Sequence, residues 1–189
     1  ALFRHHLGLS IGRFIADKKM CYARNALLNS TSSIAEIAAG SGSDVPALVT
    51  GGPVLMEGRG ERVSRIESVG VDLVVANPGV ECSTATVYSA CRSFHREVSP
   101  SAAMIDALAK GDLTAIAGSL MNDLERPATS LCPAIGRLSD DIRSLGAKGV
   151  LMSGSGSSVF GIFGSQSDAA AAAMSLRKMN YGAWSCRTF

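Results

Sequence analysis

The 189-residue chain contains no Cys-x-x-Cys pair, and its five cysteines (Cys21, Cys82, Cys91, Cys132 and Cys186) lie far apart. An odd, scattered set reads as reduced thiols in a cytoplasmic protein rather than as a disulfide framework or a zinc site. Charge of either sign is not in excess. Lys+Arg number 18 against 16 for Asp+Glu, a net +2, which gives no reason to expect a nucleic-acid or membrane-surface partner. No basic run is interleaved with aromatics, which also argues against nucleic acid. Long apolar runs are missing too. The longest uncharged stretch, residues 149–167, is punctuated by Gly and Ser and cannot form a membrane helix, so a soluble protein is expected. The first residues, Ala1-Leu2-Phe3-Arg4-His5-His6, show neither the apolar core nor the cleavage pattern of a signal peptide. They lack an initiator Met and open in what reads as helix, so a fragment or a misplaced start is expected. Histidines are few. His5 and His6 are adjacent and face different directions on a helix, and His95 is isolated; solvated positions are expected for all three. No His/Glu spacing suits a metal, and no Ser-His-Asp set can be ordered.

What the chain does have is small residues in telling places. Ser153-Gly154-Ser155-Gly156-Ser157-Ser158 lies between two short apolar runs, 149–152 and 159–163, that read as buried strands. The linker is too long and too small for a two-residue hairpin turn. It reads either as a cradle of N–H and hydroxyl donors for an anion such as a phosphate, or as a flexible loop. Asp44, framed by Gly42 and Pro46, is either a helix N-cap or a carboxylate placed to accept a proton from a substrate hydroxyl during group transfer. Thr84 is either a helix cap or a donor facing an anionic or polyol ligand. Asn122-Asp123-Leu124-Glu125 is expected to end a helix, as a ligand contact or a plain surface terminus.

The pattern predicts helices over residues 1–40. Ser32 or Ser33 serves as an N-cap, Glu36 takes the capping-box position, and Ile34, Ile37 and Ala38 share one face. Short apolar segments follow at 47–50 and 54–56. The charged turn Glu57-Gly58-Arg59-Gly60-Glu61-Arg62 is expected to mark a domain boundary, dividing the chain into 1–62 and 63–189. Beyond it a strand over 71–76 ends at Asn77-Pro78-Gly79, and a helix capped by Ser83 or Thr84 runs to about Glu97. Ser99-Pro100 breaks the chain. Further helices are expected over 101–110, 112–124, from Pro133 to about Gly146, and over 167–180, with a last strand over 183–188. Setting the extra helices aside, the order from Val71 is strand, helix, strand, strand, helix, strand. That is the ferredoxin-like split βαβ order of an α+β domain.

Five motifs then stand in order: Gly-Ser-Asp-Val-Pro at 42–46, Gly-Gly-Pro-Val-Leu-Met-Glu-Gly-Arg-Gly-Glu at 51–61, Asn-Pro-Gly-Val-Glu-Cys-Ser-Thr-Ala-Thr-Val-Tyr at 77–88, Asn-Asp-Leu-Glu at 122–125, and Leu-Met-Ser-Gly-Ser-Gly-Ser-Ser-Val-Phe-Gly-Ile-Phe at 151–163. From about Ser33 onward the chain resembles the 4-diphosphocytidyl-2-C-methyl-D-erythritol kinases, a branch of the GHMP kinase superfamily. The resemblance implies an α/β (α+β) GHMP kinase fold: the tail of a ribosomal-protein-S5-domain-2-like N-terminal domain, then a ferredoxin-like C-terminal domain. It implies ATP with Mg²⁺, and a substrate that is a cytidine diphosphate conjugate from non-mevalonate isoprenoid biosynthesis. Asp44 matches the catalytic aspartate, Thr84 a threonine near the methylerythritol end of the substrate, and Gly154, Ser155, Gly156 and Ser157 the third superfamily motif.

The chain also departs from that pattern. No Pro-x-x-x-Gly-Leu-Gly-Gly-x-Ser-Ser segment occurs in it, and the family's catalytic lysine and cytidine-binding aromatics, expected in the first half of such a kinase, are not matched within these residues. Ala47 and Leu48 stand where bulky aromatics are usual, and residues 12–32 resemble an insertion. A C-terminal portion of the kinase, inactive alone, is therefore expected. The competing expectations are another GHMP small-molecule kinase, or a non-catalytic ferredoxin-like module that binds a small molecule.

Overall fold

The computed structural model describes Ala47, Thr50, residues 52–58, Gly60, and residues 62–91 and 101–188. The helices expected over 1–40, Asp44 with its 42–46 frame, Cys21 and all three histidines lie outside the described residues. Two compact units part between Ile66 and Glu67.

In the first unit, β1 (Val54–Glu57) pairs antiparallel with β2 (Arg62–Arg65), Val54 opposite Arg65 and Glu57 opposite Arg62. Gly58 and Gly60 lie at the turn of this hairpin, Gly60 N–H donating to Glu57 O at 3.1 Å. The strand over Arg62–Arg65 was not expected, because Arg62-Val63-Ser64-Arg65 offers one apolar residue and no alternating stripe.

The second unit is built on a four-stranded antiparallel sheet. Its strands are β3 (Asp72–Asn77), β4 (Gly149–Met152), β5 (Val159–Phe163) and β6 (Gly182–Arg187), in the spatial order β4-β5-β3-β6. Sequence neighbours β3 and β4 are separated by β5, and β6 returns to the far side of β3. This is the arrangement a split βαβ order dictates. β3 alternates buried and half-buried residues, so it serves two faces. On one face Val74 and Ala76 join Met152, Val159, Phe163 and Ala183.

That face is covered by α1 (Thr84–Ala90), α4 (Glu125–Leu131), α5 (Pro133–Ser144) and α6 (Gln166–Lys178). Ile135, Leu138 and Ile142 of α5 are fully buried, spaced as one helical face requires. On α6 the buried stripe is Ala169, Ala172, Ala173 and Leu176, and small side chains let this helix sit close to the sheet. The opposite face carries a smaller cluster in which Ile162 and Val71 meet Ala107 of α2 (Ser101–Lys110) and Ile116 of α3 (Leu113–Gly118). Further along that face an in-register row crosses all four strands, Leu151 beside Phe160, Phe160 beside Val75, and Val75 beside Trp184, a residue 58% exposed.

Two helix expectations are corrected. α1 closes at Ala90, not near Glu97, because Cys91 leaves the helical region at ψ 87 while its N–H still bonds the carbonyls of Val87 and Tyr88. The helix expected over 112–124 also stops early. Asp112 caps α3, accepting from the N–H groups of Thr114 and Ala115 at 3.0 Å each, but α3 ends at Gly118. Residues 122–125 therefore do not end that helix; they open α4. Pro127 sits in the first turn of α4, where a missing N–H costs nothing, and Pro133 opens α5 for the same reason.

Candidate active site

The six residues between β4 and β5 form a braced loop. Inside it, Ser153 N–H donates to Ser158 O at 2.9 Å and Gly156 N–H to Ser153 O at 3.0 Å. Gly154 and Gly156 take φ of +58° and +87°, a region that a side chain strains, which is why alternating glycine is needed here. A Cβ on Gly156 would also stand 2.9 Å from Met152 Sδ and 3.1 Å from Ile135 Cδ1.

Two asparagines hold the loop from opposite sides. Asn77, the last residue of β3, donates from Nδ2 to Ser158 Oγ at 2.9 Å and more loosely to Ser157 Oγ at 3.4 Å; its Oδ1 accepts from Gly79 N–H at 2.7 Å. Asn122, just before α4, donates to both Met152 O and Gly154 O at 2.8 Å. Glu125 accepts the Met152 N–H at 3.2 Å. Ser157, only 5% exposed, turns its hydroxyl inward to Val80 O at 2.6 Å.

At the loop tip the Ser155 and Thr84 hydroxyls are 2.9 Å apart, so the structure brings Thr84 to the Gly/Ser segment. The cap of α1 is Ser83, whose Oγ accepts from Thr86 N–H at 3.4 Å, leaving Thr84 as the first helical residue with its hydroxyl toward the loop. Beside these groups is a cavity of about 530 Å³ lined by Asn77, Val80, Glu81, Cys82, Ser83, Gly156 and Ser157. The N–H groups of Gly154, Ser155 and Ser157 donate to no acceptor among the described residues. Gly154 and Ser155 are adjacent, and adjacent N–H groups of this kind beside a left-handed glycine suit an anion.

Thr84 and residues 154–157 are thus assembled in one place, whereas Asp44 lies outside the described residues. Sequence reasoning missed Asn77 as a brace and read 122–125 as a ligand contact or surface terminus. The available signal was an amide side chain at the end of a central strand, and another just ahead of a proline-started helix. Among the described residues no group of three His, Cys, Asp or Glu side chains could hold a metal ion. No helix among them is long and apolar enough to cross a membrane.

Comparison with known proteins identifies the family and the fold. Residues 104–182 match the family model described as GHMP kinases C terminal. A 4-diphosphocytidyl-2-C-methyl-D-erythritol kinase of Caldicellulosiruptor saccharolyticus is 37% identical over 150 residues, covering 78% of this chain and 52% of the relative. The Exiguobacterium sibiricum protein of the same name is 42% identical over 130 residues, with coverage of 68% and 46%. A crystal structure of 4-(cytidine 5'-diphospho)-2C-methyl-D-erythritol kinase superposes with a TM-score of 0.71 at 34% identity, over 88% of this chain and 60% of that one. L. major mevalonate kinase, solved with R-mevalonate, shares the fold at 18% identity and a TM-score of 0.68. The chain spans about half the length of the curated relatives it matches. Motif order, sheet topology and these likenesses converge: the chain carries a GHMP kinase C-terminal domain and belongs to the GHMP kinase family.

Proposed function

We propose that this chain is part of an ATP-dependent kinase that phosphorylates the 2-hydroxyl of 4-diphosphocytidyl-2-C-methyl-D-erythritol in the cytoplasm. The observation that carries the reading is the braced loop at 153–158, with uncommitted N–H groups and the Thr84–Ser155 hydroxyl pair beside a cavity. The names of the relatives support the substrate. In phosphoryl transfer the protein has little covalent chemistry to do, and its work is positioning and charge stabilisation. Gly154, Ser155 and Ser157 supply N–H donors toward phosphate oxygens, and Thr84 orients the alcohol end of the substrate. Asp44 takes the proton of the attacking hydroxyl. Mg²⁺ bound with ATP would neutralise charge on the transferring phosphates. The described residues add no group of three His, Cys, Asp or Glu side chains to hold the ion.

The test is phosphate transfer from ATP to the cytidine diphosphate conjugate by the product of the complete reading frame. Asp44→Ala is expected to lower kcat by about 10²–10⁴-fold. Equal turnover would end the role of Asp44 as base.

The second reading, a non-catalytic ligand-binding module, is favoured by one observation: the chain has no Gly-Gly-Ser-Ser phosphate segment. Calorimetry of the 189-residue chain with ATP and Mg²⁺ bears on it. Micromolar binding would contradict a nucleotide site lying in sequence that this chain lacks.

A further inference from the structure

We infer that Asn122 is a positioning residue for phosphate transfer, acting through the 153–158 loop and not on substrate; this rests on the kinase reading above. β4 is an edge strand, so half of its backbone groups face away from β5. Ser153 N–H pairs inward with Ser158 O, which turns the preceding residue, Met152, outward. Both outward groups of Met152 are taken by one short segment: Glu125 accepts its N–H at 3.2 Å, and Asn122 donates to its carbonyl at 2.8 Å. The same Asn122 nitrogen donates a second time, to Gly154 O at 2.8 Å, so the grip extends past the strand end into the left-handed turn. Its Oδ1 accepts the Leu124 N–H at 3.0 Å, locking the amide to the start of α4.

Both amide hydrogens of Asn122 are therefore committed within the protein, and its oxygen already accepts once, which leaves it no donor for a phosphate or other anion. What Asn122 fixes is the peptide between Gly154 and Ser155, whose N–H is one of the uncommitted donors. An Asp at 122 would keep the shape and the bond from Leu124. It would set a carboxylate oxygen against two carbonyl oxygens, releasing the loop at Gly154.

The experiment compares wild type, Asn122→Asp and Asn122→Gln in the product of the complete reading frame, with amide exchange of Gly154 and Ser155 measured alongside. Asn122→Asp is expected to lower kcat by about 100-fold, the cost of an ångström-scale misplacement, with KM for the alcohol substrate nearly unchanged. Exchange at Gly154 and Ser155 is expected to quicken while β3 and α5 keep their protection. Asn122→Gln, which retains both donors, recovers more turnover than Asn122→Asp. Should Asn122→Asp fail to fold, Asn122→Ala carries the same readings without adding charge. A variant with unchanged kcat per folded molecule, whatever its stability, overturns the proposal. An inactive wild type whose loop exchange still responds to Asn122→Asp instead overturns the kinase reading, and with it the catalytic part of this one.

Discussion

Tyr181 donates its phenolic hydroxyl to Asp141 Oδ2 at 2.7 Å, tying the turn before β6 to α5. That hydrogen bond, then burial and the Asp141 charge, raise the Tyr181 pKa above the ordinary tyrosine value, against a smaller lowering by Arg137. A raised acid favours the protonated phenol in the folded state. Its contribution is whole below the unfolded tyrosine pKa of about 10 and is lost as pH climbs through the folded value. Tyr181→Phe is expected to cost about 1 kcal/mol near neutrality, the worth of one hydrogen bond, and to flatten the alkaline loss of stability. Urea unfolding at neutral pH and above pH ~10 checks both; an unaltered alkaline slope would contradict the assignment. Nothing in the sequence pairs Tyr181 with Asp141, because the contact joins residues 40 positions apart. Asn77 and Asn122 escaped for the same reason. Thr84 and the glycines at 154 and 156 were legible, since their chemistry is local: a hydroxyl at a helix start, and backbone freedom at a turn.

At the scale of elements, residues whose pattern depends on near neighbours were read well. The strands Gly149–Met152 and Val159–Phe163 and the helix Ser101–Lys110 fall where short apolar runs and turn residues place them. The break after Gly118 was not legible, because Leu120, Met121 and Leu124 continue a helical period that tertiary bonds from Asn122 override. The loop between β4 and β5 yields an ordered prediction. Gly156→Ala meets both a positive φ and packed neighbours, whereas Gly154→Ala meets a positive φ with open space around it. Gly154→Ala is expected to cost about 1–2 kcal/mol, the left-handed penalty alone, and Gly156→Ala more. Chemical denaturation of the two variants checks the order, and a reversed ranking would mean that the loop is not packed as described.

For the whole molecule, strand order was recoverable because few connections are permitted between elements taken in sequence. The order β4-β5-β3-β6 is the outcome. Residues 62–65 escaped, since a strand with one apolar residue takes its identity from its hairpin partner. The chain spans about half of its relatives' length and contains no Gly-Gly-Ser-Ser phosphate segment. On the proposed kinase reading, such a segment would supply most of the preorganised charge stabilisation. The 189 residues by themselves are expected to transfer phosphate negligibly, while the product of the complete reading frame transfers it well. A coupled ADP-release assay on both polypeptides checks this, and comparable turnover from the two would refute it.

Trp184 is the chain's sole tryptophan and stands half-open in the apolar row that crosses the sheet. Intrinsic fluorescence excited at the indole edge therefore issues from one known spot. Quencher access and emission colour become a label-free gauge of whatever comes to rest on that side of β6.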